Sequence, residues 1–250
     1  MKVPFEPVFV DMFSGKLVLK LDPPHQQVLP YFPQYALDSM MPGTIIDYSN
    51  PNNVTGHQQR GLIVAWALRA FTESGGYPGV DFGGAGVLTP SCISVDLCGS
   101  GDEHGTYGGH YTGVHIKADA AHLENFGSDS FSCVLSSHLV EHLPCTRLHP
   151  GSTPPERLRT GCPGFEVAPI LREWIRIVRP GGLIAGILPD EAAARRGGSS
   201  VFFQDESHQH AWTAQEFYDN VLMQLLDTCE LEDFDSLKNN FSFQFCLRKK

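Results

Sequence analysis

The sequence predicts an α/β protein built on an open, mostly parallel sheet that closes on an antiparallel hairpin. Three observations carry this reading. Short apolar runs alternate with helically spaced segments between residues 78 and 228, most runs end at a glycine or an acidic residue, and two last apolar runs flank the polar turn Lys238-Asn239-Asn240. Strands that alternate with helices give a parallel sheet covered on both faces, and ligands of such sheets bind beyond the carboxyl ends of the strands.

At the amino terminus, the strand-like runs VFVDMF and KLVLKL flank Ser14-Gly15, which predicts a β-hairpin over residues 8–21. A proline-rich stretch follows as far as Pro51. Residues 57–71 have helical character and stop at Gly75-Gly76. Residues 1–56 are therefore read as an amino-terminal extension and 57–250 as the main domain. Within that domain, strands are expected at 78–82, 93–97, 114–117, 131–136 and 183–188. The clearest helix covers 166–178, with apolar residues at 167, 170, 171, 174, 175 and 178. Thr213 and Glu216 form a capping-box signature for a helix over 214–228, and 231–234 with 241–247 make the closing hairpin.

Composition narrows the function. Among 250 residues, 18 Lys and Arg face 28 Asp and Glu, a net charge of −10. That balance supplies no general field for a phosphate backbone or an anionic membrane, so neither is an expected partner. The first ten residues, MKVPFEPVFV, interrupt the apolar run a signal peptide needs, and a cytoplasmic protein is expected. The seven cysteines are odd in number and form no C-x-x-C pair. Reduced thiols are expected, not a disulfide scaffold or a thiolate zinc site.

Glycine is concentrated: twelve of the 25 lie between Gly75 and Gly113. The first group belongs to Asp81-Phe82-Gly83-Gly84-Ala85-Gly86, which follows a strand, and Asp96 ends the next strand fifteen positions after Asp81. Small residues admit a ligand close to backbone N–H groups, and a carboxylate at the next strand end can accept both ribose hydroxyls. A nucleoside site follows from this pairing. A dinucleotide fingerprint needs G-x-G-x-x-G opening a helix, and VLTPSCISVD after Gly86 leaves no room for one. The later glycines, in GSGDEHGTYGGHYTG, stand where a helix between the second and third strands is expected.

The pieces GVDFGGAG, SVDL, IKADAAHL, FSCVLSSHLVEHLP and ILREWIRIVRPGGLIAGILPD, with the closing hairpin, cover about residues 77–250. In order and spacing the chain resembles a class I S-adenosylmethionine-dependent methyltransferase of the type-11 kind, departing at Ala85, where that family usually has a second glycine. The resemblance implies a Rossmann-like fold with S-adenosyl-L-methionine as cofactor. It implies that Asp81, Gly83 and Gly84 cradle the methionine part, that Asp96 and Leu97 hold the ribose and adenine edge, that Asp119 backed by Ala120 meets the adenine amino group, and that Ser136 to His138 face the sulfonium. The expected activity is methyl transfer to an oxygen or nitrogen of a small-molecule acceptor. The first alternative is a non-catalytic protein of the same fold that binds S-adenosylmethionine or S-adenosylhomocysteine.

Histidines supply the base candidates, in the order His142, His138 and His208. His138-Leu139-Val140-Glu141-His142 also matches H-x-x-E-H, a zinc-protease signature that requires both histidines on one helical face. A metal-dependent hydrolase is therefore a further rival. The segment also continues a strand as the resemblance requires, which weighs against the hydrolase. It resembles as well the Glu-x-x-Glu-His metal site of ubiquinone-pathway O-methyltransferases, with His138 in place of the first glutamate; most histidines so placed are satisfied helix or pocket residues, so no metal is expected. His208 and His210 lie in a loop after the fifth strand, and Trp212 is read as a packing anchor for the next helix. Arg60 and the insertion 145–164 are further pocket candidates.

Overall fold

The computed structural model describes residues 10–11, 51–83, 89, 91–97, 116–144, 167–196, 208–236 and 242–250. Its first long helix, α1 (Pro51–Glu73), opens on a proline, whose missing N–H loses nothing in a first turn. It stops where Gly75 and Gly76 take φ of +74° and +97°. Gly76 N–H donates to Phe71 O at 2.9 Å and Gly75 N–H to Thr72 O at 3.2 Å, closing the last turn with paired bonds. The helix begins six residues before residue 57, where its sequence character placed it.

Among the described residues eight strands form one sheet: β1 (Val10–Asp11), β2 (Gly79–Phe82), β3 (Cys92–Asp96), β4 (Ile116–Lys117), β5 (Phe131–Ser137), β6 (Val178–Pro189), β7 (Cys229–Ser236) and β8 (Ser242–Lys249). Their order is β1-β4-β3-β2-β5-β6-β8-β7. Strands β1 to β6 pair in parallel, and β8 inserts antiparallel between β6 and β7. The direction of winding reverses between β2 and β5, and this reversal is where doubly wound sheets bind ligands. Of the amino-terminal hairpin expected over 8–21, only Val10–Asp11 are described, and they add parallel to β4.

The remaining helices are α2 (Val167–Ile177), α3 (Glu191–Arg196) and α4 (Ala214–Asn220). The capping box forms as expected: Glu216 N–H donates to Thr213 Oγ1 at 3.2 Å, and Thr213 N–H returns a bond to Glu216 Oε2 at 2.8 Å. The helix ends at Asn220, short of residue 228. Asn and Val are weak helix formers, Val221 is the C-cap with φ widened to −119°, and a 3-10 turn (Leu222–Gln224) follows. That tighter turn takes Leu222 and Leu225 into the core. β6 starts earlier than residue 183, because the register shift between Phe131 and Cys133 takes up Arg179-Pro180-Gly181-Gly182 within the strand.

Alternation along the central strands divides the core between two faces. Cys133, Leu135, Leu183, Ala185 and Ile187 pack against Ile63, Trp66 and Ala67 of α1. Val134, Ile184, Leu188, Phe243 and Phe245 face the other way, toward Leu171 and Trp174 of α2. Burial on both faces explains why β5 and β6 read as nearly continuous apolar runs. Gly186 is required by this packing, since a Cβ there would lie 2.6 Å from the Phe245 ring. Trp174 is fully buried, its ring 5.2 Å from that of Phe82, and its indole N–H donates to Ala120 O at 2.8 Å.

An ion network joins α1 to the closing hairpin. Arg69 meets Glu73 and Glu232 at 2.8 Å each, Arg248 meets Glu73 at 2.9 Å, and a contact between Arg248 and Glu232 completes the ring. The Arg69 guanidinium, with Arg248 beside it, holds the Glu73 carboxyl below its ordinary value. Among the described residues no helix is long and apolar enough to cross a membrane.

Two measurements check this packing. Trp174→Ala removes the largest fully buried side chain among the described residues and one hydrogen bond, and is expected to lower unfolding free energy in urea by about 3–5 kcal/mol. Burial pushes the Cys246 thiol up to about 12, so at pH 8 it stays protonated; alkylation followed by mass spectrometry should label it only after unfolding.

Candidate functional site

The carboxyl edge of the sheet is assembled by bonds that run one step past the strands. Gly83 N–H donates to Val95 O at 3.0 Å, Ala118 N–H to Asp96 O at 2.9 Å, and His138 N–H to Ile187 O at 2.9 Å. These bonds hold the first residue of each connecting turn in line with its neighbour. Gly83 has φ +69°, and a Cβ added to it would lie 3.0–3.2 Å from the Leu139 side chain. The turn after β2 and the turn after β5 therefore touch at the winding reversal.

The predicted cofactor residues fall into distinct positions on this edge. Asp96 ends β3 half-buried, and Leu97 beside it is 57% exposed, an unusual state for a large apolar side chain. Asp119, just past β4, accepts a bond from Ala121 N–H at 2.8 Å through Oδ1, forming a local turn. Ala120 lies in that turn, its carbonyl held by Trp174. Ser136 is fully buried within β5, and its hydroxyl has no hydrogen-bond partner among the described residues. Asp81 is 3% exposed inside β2 and accepts a hydrogen bond from Thr89 Oγ1, so its carboxylate ties together the two ends of the glycine segment. Gly84, the 99–113 glycines, the 145–164 insertion and the Arg60 side chain lie outside the described residues. Asp190 caps two helices, accepting from Ala193 N–H at 2.7 Å and Ala214 N–H at 3.1 Å.

The three histidine candidates come together around one carboxylate. His138 takes φ +53°, a left-handed conformation uncommon for residues other than glycine. It thus lies outside the short 3-10 turn (Val140–His142) that follows. H-x-x-E-H here is not a stretch of α-helix, and the helical face on which the protease signature depends does not form. Glu141 is 1% exposed, with Oε1 3.4 Å from His138 Nδ1 and 3.9 Å from His142 Nε2. Burial alone would push the Glu141 carboxyl up, but His138 first and then His142 hold it below the usual carboxylate range.

His208 arrives from a segment distant in sequence. Gln209 and His210 N–H both donate to Glu141 O, at 2.8 and 3.0 Å, and His210 Nε2 lies 2.9 Å from Leu143 O. This clip sets the His208 ring 4.6 Å from that of His142, edge to face. His210 stacks on the buried Trp212 at 4.5 Å, and Trp212 packs on Phe217, the anchoring role expected of it. Glu141 was visible in the sequence only within the metal-site motifs that His138 to His142 resembles; its approach to His208 depends on contacts with a segment distant in sequence.

No family model matches the chain, and no curated protein sequence does. Solved structures do resemble it. The chain solved with the Trm112 methyltransferase activator of Haloferax volcanii is 13% identical, with 80% of this chain and 95% of that one covered at a TM-score of 0.44. The N-methyltransferase NodS of Bradyrhizobium japonicum, in complex with S-adenosyl-L-homocysteine, is 14% identical, with 86% and 97% covered at 0.43. The magnesium protoporphyrin IX methyltransferase of Synechocystis, also with S-adenosyl-L-homocysteine bound, is 12% identical, with 87% and 94% covered at 0.41. Likeness of this degree says nothing about which molecule a chain acts on.

Gly83→Ala places a side chain in a left-handed turn and against Leu139. The conformation alone should lower stability by about 1–2 kcal/mol, measured by urea unfolding, whereas Gly61→Ala, in open space on α1, should not destabilise the fold.

Proposed function

We propose that this chain is an S-adenosylmethionine-dependent methyltransferase acting on an oxygen or nitrogen of a small-molecule acceptor, with the activity carried by residues 57–250 in the cytoplasm. The observation that supports the reading most is convergence at the winding reversal, where Gly83, Asp96 with Leu97, and Ser136 to His138 end neighbouring strands. These residues fit a nucleoside cofactor. Asp96 is an acidic strand end suited to ribose hydroxyls, and exposed Leu97 offers an apolar surface to a base. Gly83 brings backbone close, where a side chain would be strained.

Bound there, S-adenosylmethionine would supply a methyl group already activated by the sulfonium charge. The chain then needs chiefly to align the acceptor and to take one proton. Of the histidines, His138 is best placed for the proton, because it directly follows β5 and is one-third exposed. Glu141 Oε1 approaches its Nδ1, an arrangement that orients the ring. Ser136, buried and without a hydrogen-bond partner among the described residues, lies two residues earlier, within β5.

Isothermal titration of the full chain with S-adenosylhomocysteine tests the site. Hydrogen bonds to a charged group are worth about 1.5–3 kcal/mol, so Asp96→Ala should weaken binding roughly 10–100-fold. Unaltered binding in that variant would sink the assignment. Transfer of labelled methyl groups to an acceptor in a metabolite extract separates an enzyme from a non-catalytic binder of the same fold.

A further inference from the structure

We infer that Glu141, His142 and His208 form a site for one divalent ion of the zinc class, although the sequence alone led us to expect no metal. One donor atom of each residue lies within 4.8 Å of the others, the one such group among the described residues. The residue types select the ion. Two imidazoles and a carboxylate suit zinc, cobalt or iron(II); all-oxygen magnesium and calcium sites, and thiolate-rich copper(I) sites, use other donors. Three protein ligands would leave a coordination position for water or an acceptor oxygen.

A second observation points to a cation independently of the grouping. Glu141 is 1% exposed, and neither carboxylate oxygen has a hydrogen-bond partner among the described residues. An ionised carboxylate at such depth is costly unless a positive charge or hydrogen bonds compensate it. Both neighbouring imidazoles approach the same atom, Oε1. A metal ion held between Glu141 and the two ligand imidazoles would place a full positive charge against that carboxylate.

The backbone holds the ligands in place. The two amide bonds from Gln209 and His210 to Glu141 O fix the segment that carries His208 against the turn that carries the other two ligands. Donors about 2.0–2.2 Å from a tetrahedral zinc stand about 3.4 Å apart, so no separation within the 4.8 Å group has to close by more than about 1.4 Å. Rotation of exposed-edge imidazoles such as His142, 27% exposed, can achieve that without moving the backbone. His138, 3.4 Å from the same carboxylate, is a positioning residue for Glu141.

The test uses the full chain, freed of metal by chelation and titrated with Co²⁺ and with Zn²⁺. One ion bound per chain is expected, with the visible ligand-field bands of four-coordinate Co²⁺ and two exchangeable imidazole protons shifted in its paramagnetic spectrum. His142→Ala and His208→Ala should each weaken binding by more than about 100-fold, and His138→Ala by about 10–100-fold, the range for loss of a supporting partner. His122→Ala, at an exposed histidine outside the group, should leave binding unchanged. Failure of the wild-type chain to take up one equivalent overturns the site, whether or not any variant folds. So does binding that both ligand variants, shown folded by circular dichroism, retain. Metal uptake needs no S-adenosylmethionine, so the outcome stands apart from that of the cofactor titration.

Discussion

Parallel pairing of β2 with β5 is the constraint from which the carboxyl edge is built. Val80, Asp81 and Phe82 lie opposite Val134, Leu135 and Ser136, and this register brings the turn after one strand against the turn after the other. Gly83 can then face Leu139 only because it lacks a side chain. A shift of one residue would exchange the two faces of β5, sending Val134 toward α1 and Leu135 toward α2. Register is therefore set by the two-sided core, and the geometry of the edge follows from it.

Polar groups at that edge divide into those consumed by the fold and those left for chemistry. Asp190 spends both carboxylate oxygens on helix starts, Asp119 turns one oxygen to its own backbone, and Asp81 holds Thr89. Such residues stiffen the platform. Ser136 and Glu141 differ, since each is buried with side-chain oxygen lacking a hydrogen bond among the described residues. Buried polar groups of this kind are uncommon in folded proteins and tend to mark strain or function. Their placement on either side of the left-handed His138 puts two such groups within six residues.

Much of the fold was legible because its signals are local. Gly75-Gly76 ends α1 through left-handed glycine conformations, Thr213 and Glu216 cap α4 through their own side chains, and the five central strands announce themselves as apolar runs. Less local features escaped. The length of α4 depended on Leu222 and Leu225 being taken into the core, and the start of β6 on a register shift against β5. The parallel addition of Val10–Asp11 to β4 likewise carries no mark in its own sequence.

At the site, the amino-acid sequence by itself determined the glycine turn, the acidic strand end at Asp96 and the presence of several histidines, because residue type and spacing along a strand suffice for these. Only the tertiary structure decided which polar groups remain available. Asp81 and Asp190 are occupied by partners that become neighbours on folding, and Glu141 and His208 meet through two backbone bonds that span the chain. The physical reason is that burial and pairing belong to contacts between segments, while spacing records only the geometry within one.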